Sequence, residues 1–181
     1  MKIIQAMKQI KDLSVKATDL REKIGKFCSD LSIETPTYPA GQAEQIASWL
    51  QSHHDILKEI LRLRVAIQHT NIHTKVTIGV GGNSVTQSIA AWIHRRRDLA
   101  TLEMNAWQKL SDRGLKESNV QTAQGGTITE VRIRRYFDAA IRDSKHEEFR
   151  AEPALIDGTL EVINAVTDLV EEDPLPIAAA A

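Results

Sequence analysis

Apolar residues recur at steps of three and four from the start of the chain: Ile3, Met7, Ile10, Leu13, Ala17, Leu20, Ile24, Phe27 and Leu31. That spacing follows the helical turn and draws one stripe along a long helix, which must be buried against another apolar face. Thr35, Pro36, Thr37, Tyr38 and Pro39 end it, because proline lacks an amide donor and disfavours helix in the residue before it. A second periodic run extends from about Ala40 to His69, with Ile46, Leu50, His53, Leu57, Ile60, Arg64 and Ile67 on one stripe and Trp49, Ile56 and Leu63 beside it. Two such helices joined by a short proline-containing loop predict an antiparallel hairpin of coiled-coil character. Aromatic residues are only 4% of the chain, so the seams must be filled by Ile, Leu, Val and Ala.

A third helix is predicted from Ser84, Val85, Thr86 and Gln87, which read as a capping box; it carries Ile89, Ile93, Leu99, Leu102, Ala106 and Leu110 and stops before Gly114. The polar stretch from Leu115 to Gly126 reads as a loop. In TITEVRIRRYFD, Val131 and Ile133 alternate with Arg132 and Arg134, which predicts a strand with one basic face that fails at Arg135. Asp138 is placed to cap a last helix running through LEVINAVTDLV, with a kink expected at Pro153 and Gly158. The expected fold is mainly α, a long antiparallel helical hairpin and bundle with a small β element. It forms a single domain over 1–170 followed by a flexible tail over 171–181.

Composition removes several function classes. Lys and Arg number 23 against 24 Asp and Glu, so a formal charge of −1 supplies no general attraction to nucleic acid or an anionic membrane. Arg95, Arg96 and Arg97 are consecutive and spread around a helix rather than lining one face. The lone Cys28 excludes an intramolecular disulfide. MKIIQAMKQIKDL interrupts each apolar run with Lys or Gln, unlike a signal peptide, and no run approaches the ~18 apolar residues of a membrane span. A cytoplasmic protein is expected.

Several segments resemble the septicolysin-like family of small bacterial and phage proteins. The opening MKIIQAMKQIKDL followed by Leu20 and Arg21, the turn Ile67, Gln68, His69, Thr70, Asn71, Ile72, His73 and Thr74, and the helix positions Thr86, Ala90, Arg97 and Asp98 carry the resemblance. So do Glu130 ahead of VRIRRYF, Asp138, and NAVTDL at the end. Departures are the glycines Gly79, Gly81 and Gly82, Val166, and Pro153. The resemblance implies a helical hairpin with a small β element, a homo-oligomer, and a bacterial or phage-infected host cell; it implies no catalytic residue.

The polar stretch around Thr70, Asn71 and Thr74 has two readings. Its side chains can cap the second helix, or they can stand before the third helix, whose free amides attract anions. In the second reading Thr86, Arg97, Arg132 and Arg134 complete a site for a phosphate or carboxylate, since arginine forks match such oxygens. The glycines lack the Gly-Lys-Ser/Thr ending of a phosphate loop and read as a turn. His69 and His73 are four apart but have no third ligand, so no metal is expected. No cofactor is expected, and no nucleophile stands beside a base. The expected function is non-enzymatic: a homo-oligomer that sequesters a small anionic ligand, best a nucleotide, with a cyclic-nucleotide immune signal in a phage anti-defence sponge as one form. The alternatives are a structural protein that uses its helical seams for assembly or partner docking and, lower, nucleic-acid-binding and membrane-active proteins.

Overall fold

The computed structural model describes residues 1–39, 41–121 and 128–170. The fold is mainly α with a small β element. By its contacts the chain divides into two compact units, the first formed by Met1–Thr74 with Leu160–Ala181 and the second by Lys75–Thr159.

In the first unit, α1 (Ile3–Phe27) and α2 (Gln42–His73) form the antiparallel hairpin. On α1 the covered positions are Ile3, Ala6, Ile10, Leu13, Ala17, Leu20, Ile24 and Phe27, alternating steps of three and four. On α2 they are Trp49, His53, Ile56, Ile60, Leu63, Ile67 and Thr70 in the same rhythm, so the two helices meet along heptad seams. This corrects four expected seam members. Met7 yields to Ala6, Leu31 lies beyond the end of α1, and Leu50 and Leu57 of α2 are exposed. The broader stripe read from the sequence mixed two faces of α2. At the closed end of the hairpin the rings of Phe27, Tyr38 and Trp49 pack with centroids 5.6–5.8 Å apart, and the Gln42 amide donates to the Phe27 carbonyl at 2.7 Å.

The helix α2 does not end at His69. Thr70 is fully buried, donates its hydroxyl to the Ala66 carbonyl at 2.8 Å and accepts from the Val170 amide at 2.9 Å. That back-bond is compatible with helix, which continues until Thr74 turns to extended backbone. The chain start is clasped to the segment after α5 (Ala139–Val166): the Ile3 amide donates to Thr167, the Leu169 amide to Met1, and the Lys2 ammonium to Asp168 at 2.6 Å.

In the second unit, the stretch whose glycines read as a turn is a β-hairpin, with Gly81 and Gly82 forming that turn at its tip. β1 (Lys75–Val80) pairs antiparallel with β2 (Asn83–Ser88), Val80 opposite Asn83. Gly81 and Gly82 both have positive φ, 56° and 75°, which is the two-residue turn whose twist suits a hairpin. The alternation Val76, Ile78, Val80 was the signal, and Ile78 is buried in the core of this unit with Ile89, Trp92, Ala100 and Ile156. The expected capping box at Ser84 is therefore strand. Ser88 caps instead, accepting from the Ala91 amide at 3.2 Å.

The third helix begins as α3 (Ile89–His94), widens into a π turn over Arg95–Leu99 and resumes as α4 (Ala100–Gln108). Arg95 and Arg96 of that turn both reach α5, Arg95 to Glu152 and Arg96 to Asp157. The stretch from Leu115 contains a strand that was expected to be loop: β3 (Ser118–Gln121) pairs antiparallel with β4 (Ile128–Val131). The expected strand stops at Val131, opposite Ser118, and the Glu117 carboxylate replaces the ladder by accepting from the Ile133 amide at 3.3 Å. Asp138 caps α5 as expected, accepting from the Ala140 amide at 2.7 Å, and Pro153 stands inside this helix without ending it. The glycines Gly125 and Gly126 and the tail over 171–181 lie outside the described residues.

Candidate functional site

The seven residues expected to bind a ligand lie on different elements, and most of them have local partners of their own. Thr70, Asn71 and Thr74 belong to the first unit, at the last turn and C-cap of α2. Thr70 is committed to two backbone partners, and the Asn71 side-chain oxygen is buried without one among the described residues. In the second unit, Thr86 lies on β2 and shares a hydrogen bond of 2.7 Å with the Thr77 hydroxyl opposite it. It does not stand at a helix N-terminus. Arg97 approaches Asp98 at 4.0 Å, and Arg132 donates to Glu130 at 2.8 Å; both arginines are largely exposed. Glu130 holds the Arg132 guanidinium in its charged form more firmly than usual.

Arg134 is placed differently. It lines a cavity of about 400 Å³ formed by the end of the α4 helical run, the turn after it and the segment following β4. Around this cavity stand Lys109, Arg113, Arg134 and Arg135 against one carboxylate, Asp112, so its lining carries three net positive charges. The turn is made by Arg113 and Gly114, both at positive φ, with the Leu115 amide returning to the Asp112 carbonyl at 2.9 Å. A non-glycine residue in that conformation is uncommon, and here it sets a cationic side chain on the rim.

Arg135 grips Asp112 with a fork of two hydrogen bonds, 2.7 and 2.6 Å. The Arg135 bonds hold the Asp112 carboxyl below the usual carboxylate range, and Asp112 in turn holds Arg135 charged. One wall is thereby fixed in shape and charge. Nearby, Arg142 donates to the Leu110 carbonyl at 3.1 Å and lies over the Phe137 ring at 5.5 Å, which ties α5 to the same turn. Lys109, Arg113 and Arg134 form no ion pair among the described residues. Tyr136, also on the lining, is 89% exposed and offers both a ring face and a hydroxyl.

Such a cavity can hold an anion by converging cations, and the aromatic face can stack on a planar group. The sequence reading found Arg134 but missed Lys109, Arg113, Arg135 and Tyr136. The failure of alternation at Arg135 was the available signal, since a strand that ends turns its next side chains toward new neighbours.

A smaller cavity of about 250 Å³ lies between α1 and α2, lined by Arg21, Arg64 and His53 with Ser14 and Thr18. Both hydroxyls there already donate to carbonyls of their own helix, and the lining holds two arginines and the His53 imidazole against the four cations and tyrosine of the larger cavity. Among the described residues no group of three or more His, Cys, Asp or Glu is placed to hold a metal ion, although the His69 and His73 rings stack at 4.1 Å. No helix among the described residues is long and apolar enough to cross a membrane. Compared with known protein families, curated proteins and solved structures, the chain matches none.

Proposed function

We propose that this protein is a non-enzymatic binder of a small anionic ligand, best a nucleotide, taken up in the cavity beside Arg134. The observation that carries the reading is the convergence of four cations and an exposed tyrosine on one concavity with a single carboxylate. Its volume lies within the roughly 300–1,000 Å³ range of small-molecule sites. Lys109, Arg113 and Arg134 supply donors to phosphate oxygens, Arg135 is positioned by Asp112, and Tyr136 offers a stacking face for the base. Sequestration rather than turnover fits this set, because it supplies charge and shape but no nucleophile beside a base.

The test is thermal unfolding of the full chain against linear and cyclic nucleotides, with inorganic phosphate alongside. A ligand at 100 times its dissociation constant adds about 2.7 kcal/mol, a rise of roughly 5–10 °C for a chain of this size. The expected result is a selective rise that disappears in Arg113→Ala/Arg134→Ala while the unliganded transition stays in place. A flat panel on a folded protein, or a rise that survives the double substitution, overturns the assignment.

A further inference from the structure

The exposed face of α2 carries a second apolar stripe that the hairpin leaves half exposed, with Leu57 at its edge beside the cavity between α1 and α2. Leu50, Leu57, Leu61, Val65 and Ile72 are each between 47% and 59% exposed. With the exposed polar residues His54 and Gln68 they follow one another at steps of four, three, four, four, three and four. At about 100° per residue all seven fall within about 40° of Leu61, some 130° around the helix from the α1-facing seam. Such a run of half-exposed aliphatic residues on a long helix calls for a partner.

The stripe reads the same in both directions. Leu57 and Val65 lie four residues either side of Leu61, His54 and Gln68 seven, and Leu50 and Ile72 eleven. We infer that α2 pairs antiparallel with α2 of a second copy of this chain about a two-fold axis at Leu61. Leu61 then meets Leu61 of the second copy, Leu57 meets Val65, and Leu50 meets Ile72. The only polar level sets His54 against Gln68, whose side chains hydrogen-bond each other. An isologous contact needs this property, because each surface must complement itself. A different partner would not require symmetry in the stripe.

The extent is adequate. The 22 steps from Leu50 to Ile72 run about 33 Å. Five half-exposed aliphatic residues on each copy withdraw on the order of 900 Å² in total over the two copies, which flanking residues bring to the roughly 1,200 Å² where stable interfaces begin. The stripe belongs to the first unit, so this pairing stands independently of the ligand cavity in the second.

Sedimentation equilibrium of the full chain tests the pairing. Leu61→Glu sets two carboxylates against each other at the axis and is expected to weaken association at least 100-fold, with the helical circular dichroism retained. Val15→Glu, on an exposed position of α1, is the control and keeps the wild-type mass. Cross-linking in a Cys28→Ser background fixes direction: Leu61→Cys links to itself, Leu57→Cys/Val65→Cys gives 57-to-65 links, and Leu57→Cys alone gives none. Unchanged association of Leu61→Glu, or efficient 57-to-57 linking, overturns the proposal. The former means that another surface or another occupant covers the stripe, and the latter means a parallel arrangement.

Discussion

Removing the Glu152 carboxylate should destabilise the second unit well beyond the effect of an ordinary surface substitution. The Glu152 side chain is 4% exposed and takes a two-point grip from Arg95, whose own side chain is 23% exposed. Glu152 holds the Arg95 guanidinium charged, so Glu152→Ala leaves a largely desolvated cation behind. Breaking one side of a fully buried pair costs about 3–5 kcal/mol. Arg95 keeps two consolations, Glu103 at 3.5 Å and the Phe149 ring at 5.4 Å, and water reaches part of it. These reduce the expected loss to about 2–3 kcal/mol, since a half-exposed carboxylate such as Glu103 is a weak partner. For a chain of this length the midpoint falls by roughly 4–12 °C. Tryptophan fluorescence in urea is a suitable assay, because Trp92 is buried in this unit. The paired substitution Arg95→Met/Glu152→Met should recover most of the loss, since apolar side chains of similar size remove both charges. A Glu152→Ala protein within about 0.5 kcal/mol of wild type, the spread of ordinary surface changes, refutes the argument. So does a double variant weaker than the single.

Thr70→Val keeps shape but strips the hydroxyl from between the Ala66 carbonyl and the Val170 amide; a loss of about 1–3 kcal/mol is expected, with faster hydrogen exchange at the Val170 amide. Asp112→Asn raises the cavity lining from three to four net positive charges, so nucleotide affinity in calorimetry should rise; a fall would mean that positioning of Arg135 matters more than charge. The carboxyls of Asp112 and Asp168 are held below their ordinary 3.8 by hydrogen bonds from Arg135 and Lys2. Their stabilisation is therefore fully present above about pH 5 and is lost as pH falls through the depressed values. Urea unfolding followed by circular dichroism across pH should show Asp112→Asn and Asp168→Asn each less stable than wild type near neutral pH and converging on it as the pH falls, a shallower acid loss in both.

The hairpin was legible because apolar spacing alone defines its seams, and Ala17, Ile60 and Leu63 sit where the periodicity put them. Choosing between two stripes on α2 was harder, because both contain leucine at helical spacing and only the position of α1 decides which is inner. The region from Lys75 to Ser88 hid a hairpin behind Thr, Ser and Asn, whose turn preferences masked an alternation of only three apolar residues. The ligand site was read as a convergence of helix ends, which required knowing which arginines find carboxylates locally. Arg132 has Glu130 two residues away, a pairing visible in sequence. Arg135 has Asp112, twenty-three positions earlier, and no local pattern announces that.

The π turn over Arg95–Leu99 has a consequence for helix phase. Trp92 and Ala100 are both buried, yet eight residues of regular helix would leave their side chains about 80° apart. One wide turn absorbs roughly one extra residue, so the eight complete two turns and bring both to one face. With one residue of the run removed, seven would again make nearly two turns of ordinary helix. A single deletion between Arg95 and Leu99 should thus leave the downstream face in phase, where the same deletion in mid-α1 or mid-α2 would throw every later seam position out of line. What the shortened chain would lose is the local widening that lets neighbouring arginines reach two acids on α5. The spare residue contributes grip rather than length.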